Sequence, residues 1–278
     1  MSSPKKTVLI LLGMAVAAIV GVSAVFAVFI ELAETEFVPG EEVYLRDVYV
    51  IIDQTLSMQQ GQRKEAKEIL EEEIIHSMGL GDRISCYRIA SNFTETNDRV
   101  FTSTRYLPRI YNNVSGVSTE IFSDNLKSEL LRRWNLFASE RQGWLHNLNN
   151  IDHPRGIYSD YLGTLEEIGR RIGANNQQGQ SQETWLVVIG DLKHEPVLRQ
   201  PPAPQNGEKR QFADVNIFMI YPGGIHNKQE QIRIENFWKA YFAARGSREV
   251  NYISFDGFIG RFPANNVPAP GKLGLAIK

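Results

Sequence analysis

Two short runs constrain this chain more than anything else in it. Asp47-Val-Tyr-Val-Ile-Ile-Asp53 and Trp185-Leu-Val-Val-Ile-Gly-Asp191 are nearly continuous in β-branched and apolar residues, and each ends in an aspartate. A strand with one face in water alternates apolar with polar residues, whereas a strand covered on both faces does not. Both runs therefore read as central strands of a parallel sheet with helices on either side.

The remaining pattern supplies those helices. A helix is predicted over residues 63–78 from Ala66, Ile69, Leu70, Ile74 and Ile75, with Gly79 and Gly81 to stop it, and a strand follows at 83–90. Strand, helix, strand is a βαβ unit. Phe101 to Leu107 reads as a further strand suited to an antiparallel edge. A long helix is predicted from Asp124 to Leu148, with Ser123 as N-cap and Leu126, Leu130, Trp134, Phe137, Trp144 and Leu148 at helical spacing. A second helix spans about 159–172, residues 196–211 read as a proline-rich loop, and strand, helix and strand follow at 215–221, 229–245 and 250–255. The expected fold is α/β: a doubly wound, Rossmann-like, mostly parallel sheet with helices on both faces.

Ahead of this lies a different kind of segment. From Thr7 to Ile30 no residue is charged, and as a helix the run would rise ~36 Å, enough to cross a bilayer. It exceeds the apolar stretch of a usual cleaved signal peptide. Lys5 and Lys6 precede it and Glu31, Glu34, Glu36, Glu41 and Glu42 follow, so the expected topology is a single pass with residues 1–6 cytoplasmic and the main domain outside, in the periplasmic or extracellular space. Gly13, Ala17 and Gly21 would put small residues on one helix face, where a second membrane helix could approach. Residues 31–45 read as a stalk, 46–258 as the domain with a helical insertion at about 110–155, and 259–278 as a loosely ordered tail.

The totals exclude some partners. A formal net charge of −2 over 278 residues gives no basic surface for nucleic acid. The single cysteine, Cys86, forms no internal disulfide and reads as a small core residue. The five histidines lack metal-ligand spacing, and the sequons at Asn92 and Asn113 are short enough to arise by chance.

Chemistry concentrates where the two apolar strands end. Asp53-Gln54-Thr55-Leu56-Ser57-Met58 places one carboxylate and two hydroxyls on a turn at the carboxyl end of the sheet, and Asp191 ends the other strand. Oxygen donors of this kind suit a hard cation such as magnesium, whereas zinc favours His or Cys. The pattern resembles the von Willebrand factor A family, whose metal-ion-dependent adhesion site has the form Asp-x-Ser-x-Ser, then a distant Thr, then a distant Asp. Asp53, Thr55 and Ser57 match the first element with Thr in place of Ser, and Met58 stands where that family often has Met. Ser159 takes the place of the distant threonine and Asp191 that of the last acid, although the family's usual Thr-Asp-Gly is here Gly190-Asp191-Leu192. The resemblance implies a non-enzymatic module that holds magnesium, with manganese or calcium as substitutes, and binds a protein partner whose Asp or Glu completes the coordination.

Two other readings of the same residues stand beside it. In haloacid dehalogenase-like phosphohydrolases a strand ends in a nucleophilic Asp, here Asp53, and a later strand ends in acids that support magnesium, here Asp191 and Glu195. Position 55 lacks the acid most of that family carries. The other reading is a metal-free scaffold in which Asp53 and Ser57 only cap the following helix.

Overall fold

The computed structural model describes residues 44–89, 93–104, 124–149, 151, 154, 156–178, 181–194, 198, 200–205, 208–224 and 227–265. The expected membrane segment, most of the stalk, the Ser123 cap, both sequon asparagines, Glu195 and the end of the tail lie outside them. Among the described residues no helix is long and apolar enough to cross a membrane. Residues Glu42–Lys278 form one compact unit.

Six strands build the sheet: β1 (Tyr44–Ile52), β2 (Asp82–Arg88), β3 (Arg99–Thr102), β4 (Ser181–Ile189), β5 (Val215–Tyr221) and β6 (Val250–Ser254), in the order β3-β2-β1-β4-β5-β6. All neighbours are parallel except β3, which runs antiparallel to β2 at the edge. The chain moves outward from β1 through β2 to β3, then crosses to the other side of β1 for β4. The carboxyl ends of β1 and β4 therefore flank the crevice at which the sheet's winding reverses.

The continuous apolar reading of the central strands has a direct cause. Val48, Val50 and Ile52 of β1 and Val187 and Ile189 of β4 face one side, while Tyr49, Ile51, Leu186 and Val188 face the other, and all are buried. Helices α1 (Gln60–Glu68), α3 (Asp124–Leu148) and α6 (Phe255–Phe258) bury residues in the first layer; α4 (Tyr161–Gln177) and α5 (Lys228–Ala244) fill the second. A short helix, α2 (Glu95–Asp98), lies between β2 and β3. Cys86 is fully buried, and burial pushes its thiol pKa up, so it stays a protonated core side chain.

Several boundaries differ from the sequence reading, each for a local reason. The helix expected over 63–78 starts at Gln60 and turns π-helical over Ile69–Ile75. Its apolar pairs Ile69/Ile74 and Leu70/Ile75 are five residues apart, and the wider turn lets all four be buried together. The helix expected from Ser159 begins at Tyr161, because Asp160 is its N-cap and accepts a 2.9 Å bond from the Gly163 N–H. Phe255 opens α6 instead of ending β6, with Ser254 as its cap.

The chain is held to the domain beyond Phe262, where the sequence suggests a loose tail. Arg46 and Asp82 form a buried ion pair, with Arg46 Nε 2.9 Å from Asp82 Oδ1. Arg46 also donates to the carbonyls of Ser77 and Pro263, and the Asn265 side chain donates to Leu80 O at 3.1 Å and Asp82 Oδ2 at 2.7 Å. Those contacts satisfy the buried charges and fix residues 262–265 at the amino-terminal edge of the sheet.

Helix α3 is a working part of the first layer. Phe137 and Trp144 are 1% and 3% exposed, so both are core side chains and neither is available to anchor a partner. Trp144 stacks on Phe101 of β3 at 6.2 Å and meets Phe137 edge-on at 5.8 Å. Trp144→Ala should therefore destabilise the protein by about 3–5 kcal/mol in urea unfolding. A loss below about 1 kcal/mol would show α3 to be a dispensable addition.

Candidate functional site

Asp53 and Asp191 lie just beyond β1 and β4. The Asp53 N–H continues the parallel pairing by donating to Ile189 O at 2.8 Å, which brings the two chain ends side by side. The turn after Asp53 is closed by its own carboxylate: Oδ1 accepts the Thr55 N–H at 2.8 Å. That bond turns Thr55 inward and leaves Ser57 exposed at the mouth, while Asp53, Thr55, Ser159 and Asp191 are buried.

The five residues expected to form one site stand together. Thr55 Oγ1 lies 2.8 Å from Ser57 Oγ and 2.7 Å from Ser159 Oγ, and Ser159 donates to Asp53 Oδ2 at 3.0 Å. Ser57 Oγ also lies 3.4 Å from Ser159 Oγ. Asp160, next to Ser159, is committed to the helix cap, with His194 Nδ1 3.7 Å from it.

A sixth residue, which sequence reasoning missed, joins them. The Tyr161 hydroxyl donates to Asp53 Oδ2 at 2.8 Å, lies 3.5 Å from Asp191 Oδ1, and accepts the Leu192 N–H at 3.0 Å. Burial and the two nearby carboxylates raise its pKa well above the usual phenol value, so it remains a donor. The only sequence signal was its position two residues after Ser159, which also fits a core tyrosine on an apolar helix face. Gly190 makes room for it: a Cβ there would stand 2.3 Å from the Tyr161 hydroxyl and 2.5 Å from Asp53 Cβ. Leu192 adopts φ 60°, a left-handed conformation disfavoured for leucine, and is held by Tyr161 at its N–H and by Trp238 Nε1 at its carbonyl, 2.9 Å away. The backbone after Asp191 thus has a glycine-like shape without a glycine.

Four hydroxyls (Thr55, Ser57, Ser159 and Tyr161) carry four protons, and the four close oxygen–oxygen contacts use them all: Thr55–Ser57, Thr55–Ser159, Ser159–Asp53 and Tyr161–Asp53. The hydroxyl protons therefore run toward Asp53, and the second buried acid, Asp191, has the Tyr161 hydroxyl only at 3.5 Å. The Asp191 carboxyl reflects this: burial first, and then the charge of Asp53, push its pKa up, against the Lys193 N–H at 2.9 Å and the Ser57 hydroxyl, which lower it. Among the described residues no three His, Cys, Asp or Glu side chains are grouped as a metal site, so a cation here would depend on hydroxyl oxygens beside two carboxylates. Such an all-oxygen set fits magnesium, manganese or calcium.

Two stability measurements follow. An acid whose folded pKa is raised contributes stability below its unfolded pKa and loses it as pH rises through the folded value. In metal-free protein at neutral pH, Asp191→Asn should therefore raise the Tm by roughly 2–4 °C and flatten the decline of stability with rising pH. Tyr161→Phe should instead cost about 1–3 kcal/mol, since it removes a donor to a buried carboxylate. Thermal melts of both variants across pH, in chelator, check these signs.

In sequence the chain matches no protein-family model and no curated protein. The structure shows an α/β domain with a six-stranded, mostly parallel sheet and helices packed against it.

Proposed function

We propose that this domain is a von Willebrand factor A-like binding module. Asp53, Thr55, Ser57, Ser159 and Asp191 hold a divalent cation, magnesium in the first instance, and a carboxylate from a protein partner completes its coordination. The observation that carries this reading is the gathering of two buried carboxylates, Asp53 and Asp191, with three hydroxyl oxygens beyond two adjacent strands: a hard cation at its centre supplies positive charge beside the two acids. Ser57 lies on the exposed side, so the approach for a partner's Asp or Glu is through the mouth it lines.

In this reading no side chain acts as acid, base or nucleophile. Asp53 suits the part because Oδ2 is held in place by Ser159 and Tyr161, while Oδ1 accepts only the Thr55 N–H and keeps a lone pair for a cation. The same proposal includes the uncharged run at residues 7–30 as a membrane anchor, with residues 1–6 cytoplasmic and the domain on the other side.

Calorimetry on the full chain in lipid nanodiscs should show magnesium or manganese binding that Asp53→Ala abolishes, with circular dichroism unchanged. Thr55→Ala and Ser57→Ala should weaken it about tenfold or more. Protons and metal compete for Asp191, so affinity should fall as pH drops through a range above that of an ordinary aspartate. Absence of metal heat at millimolar metal would leave the scaffold reading. Turnover of generic phosphoesters that vanishes in Asp53→Asn would replace the module with a phosphohydrolase. A reporter fused after Lys278 should be active only outside the cytoplasm.

A further inference from the structure

The surface around the oxygen cluster is more apolar than a charged-ligand site requires. Leu56 is 62% exposed, Ile157 74% and Tyr158 47%, and they make up half of the six large apolar side chains exposed among the described residues. All three sit on the two loops that carry the hydroxyls: Leu56 between Thr55 and Ser57, and Ile157 and Tyr158 directly before Ser159. The loops are joined, since the Leu56 N–H donates to Gly156 O at 3.4 Å. Gly156 takes φ 93°, a left-handed turn that glycine adopts without strain.

Scattered exposed apolar residues are ordinary, but a rim of them around buried polar oxygens is an interface pattern. Thr55, Ser57 and Ser159 are turned to one another while Leu56, Ile157 and Tyr158 are exposed. The turn that Asp53 closes with the Thr55 N–H produces this alternation on the first loop. Water-exposed leucine and isoleucine gain nothing from the fold; they gain when a partner covers them, by about 1.5–3 kcal/mol for a fully buried side chain.

We propose that Leu56, Ile157 and Tyr158 form an apolar rim that selects a protein segment whose Asp or Glu is flanked by bulky apolar side chains. This inference rests on the metal-binding reading above. The cation between the loops attracts the anionic side chain, and the rim accepts its apolar neighbours. The carboxylate supplies a contact common to any acidic partner, and the rim discriminates among them, because an acidic segment with polar neighbours leaves the rim in water. On helix α3, Phe137 and Trp144 take no part in this selection, because both are committed to the core.

The test uses the full chain in nanodiscs and a library of short peptides with one fixed central Asp and randomised flanks. With magnesium present, retained peptides should be enriched about tenfold in those with Leu, Ile, Phe or Trp within two positions of the Asp, and chelator should release them. Leu56→Ser and Ile157→Ser should keep the calorimetric metal heat and lose the apolar preference. Retained peptides without that preference, a preference unchanged in both variants, or no retention despite metal heat would each overturn the proposal. Magnesium-dependent self-association abolished by Leu56→Ser, with no peptide retained, would assign the surface to a second copy and overturn it as well. No metal heat in the unaltered chain would instead bring down the underlying metal reading, which is a distinguishable result.

Discussion

The pairing of β1 with β4 is the constraint on which the rest depends. Both strands are covered on both faces, so neither can shift register without moving side chains between two filled layers. Their parallel ladder runs from Tyr44 with Ser181 to Ile52 with Ile189 and extends one step further through the Asp53 N–H. Parallel strands that end together deliver the residues after them to the same place. Two aspartates that are far apart in sequence are brought into one cluster by this ladder.

Bringing two carboxylates together in a buried place is unfavourable, and the surroundings show how the fold accommodates it. Tyr161 bonds one acid and lies near the other, the Lys193 N–H serves Asp191, and the Thr55 N–H serves Asp53. Leucine at φ 60° and a glycine with no room for a Cβ are local costs of the same arrangement. The opposite edge of the sheet contrasts with it. There Arg46 and Asp82 are a matched pair with further partners in Ser77, Pro263, Gly79 and Asn265, and the charges are balanced within the chain. One end is electrostatically balanced, whereas at the other burial and the nearby Asp53 push the Asp191 pKa up.

Apolar residues divide in the same way. The aromatic side chains of α3 and the pairs of the π-helical segment are consumed by the first layer, and Tyr161 and Trp238 by the second. Half of the large apolar side chains left in solvent among the described residues lie on the loops beside the hydroxyls. Helical spacing alone could not separate these roles, because an apolar face looks the same in sequence whether it meets a sheet or a partner.

The central strands, the antiparallel edge, the span of α3 and the first two hydroxyls of the cluster were legible because each depends on residues close in sequence: a buried strand needs a continuous apolar run, and a turn after it needs Asp, Ser or Thr. Ser159 could be placed only by resemblance to a family motif. The π-helical widening at Ile69–Ile75, the cap at Asp160, the role of Tyr161, the conformation of Leu192 and the docking of Asn265 were decided by tertiary structure. Each depends on a distance between segments set by how helices seat on the sheet. Sequence determined which residues had to be buried and which could bind a cation; only packing decided which of them meet, because contacts across the sheet's crevice leave no periodicity in the chain.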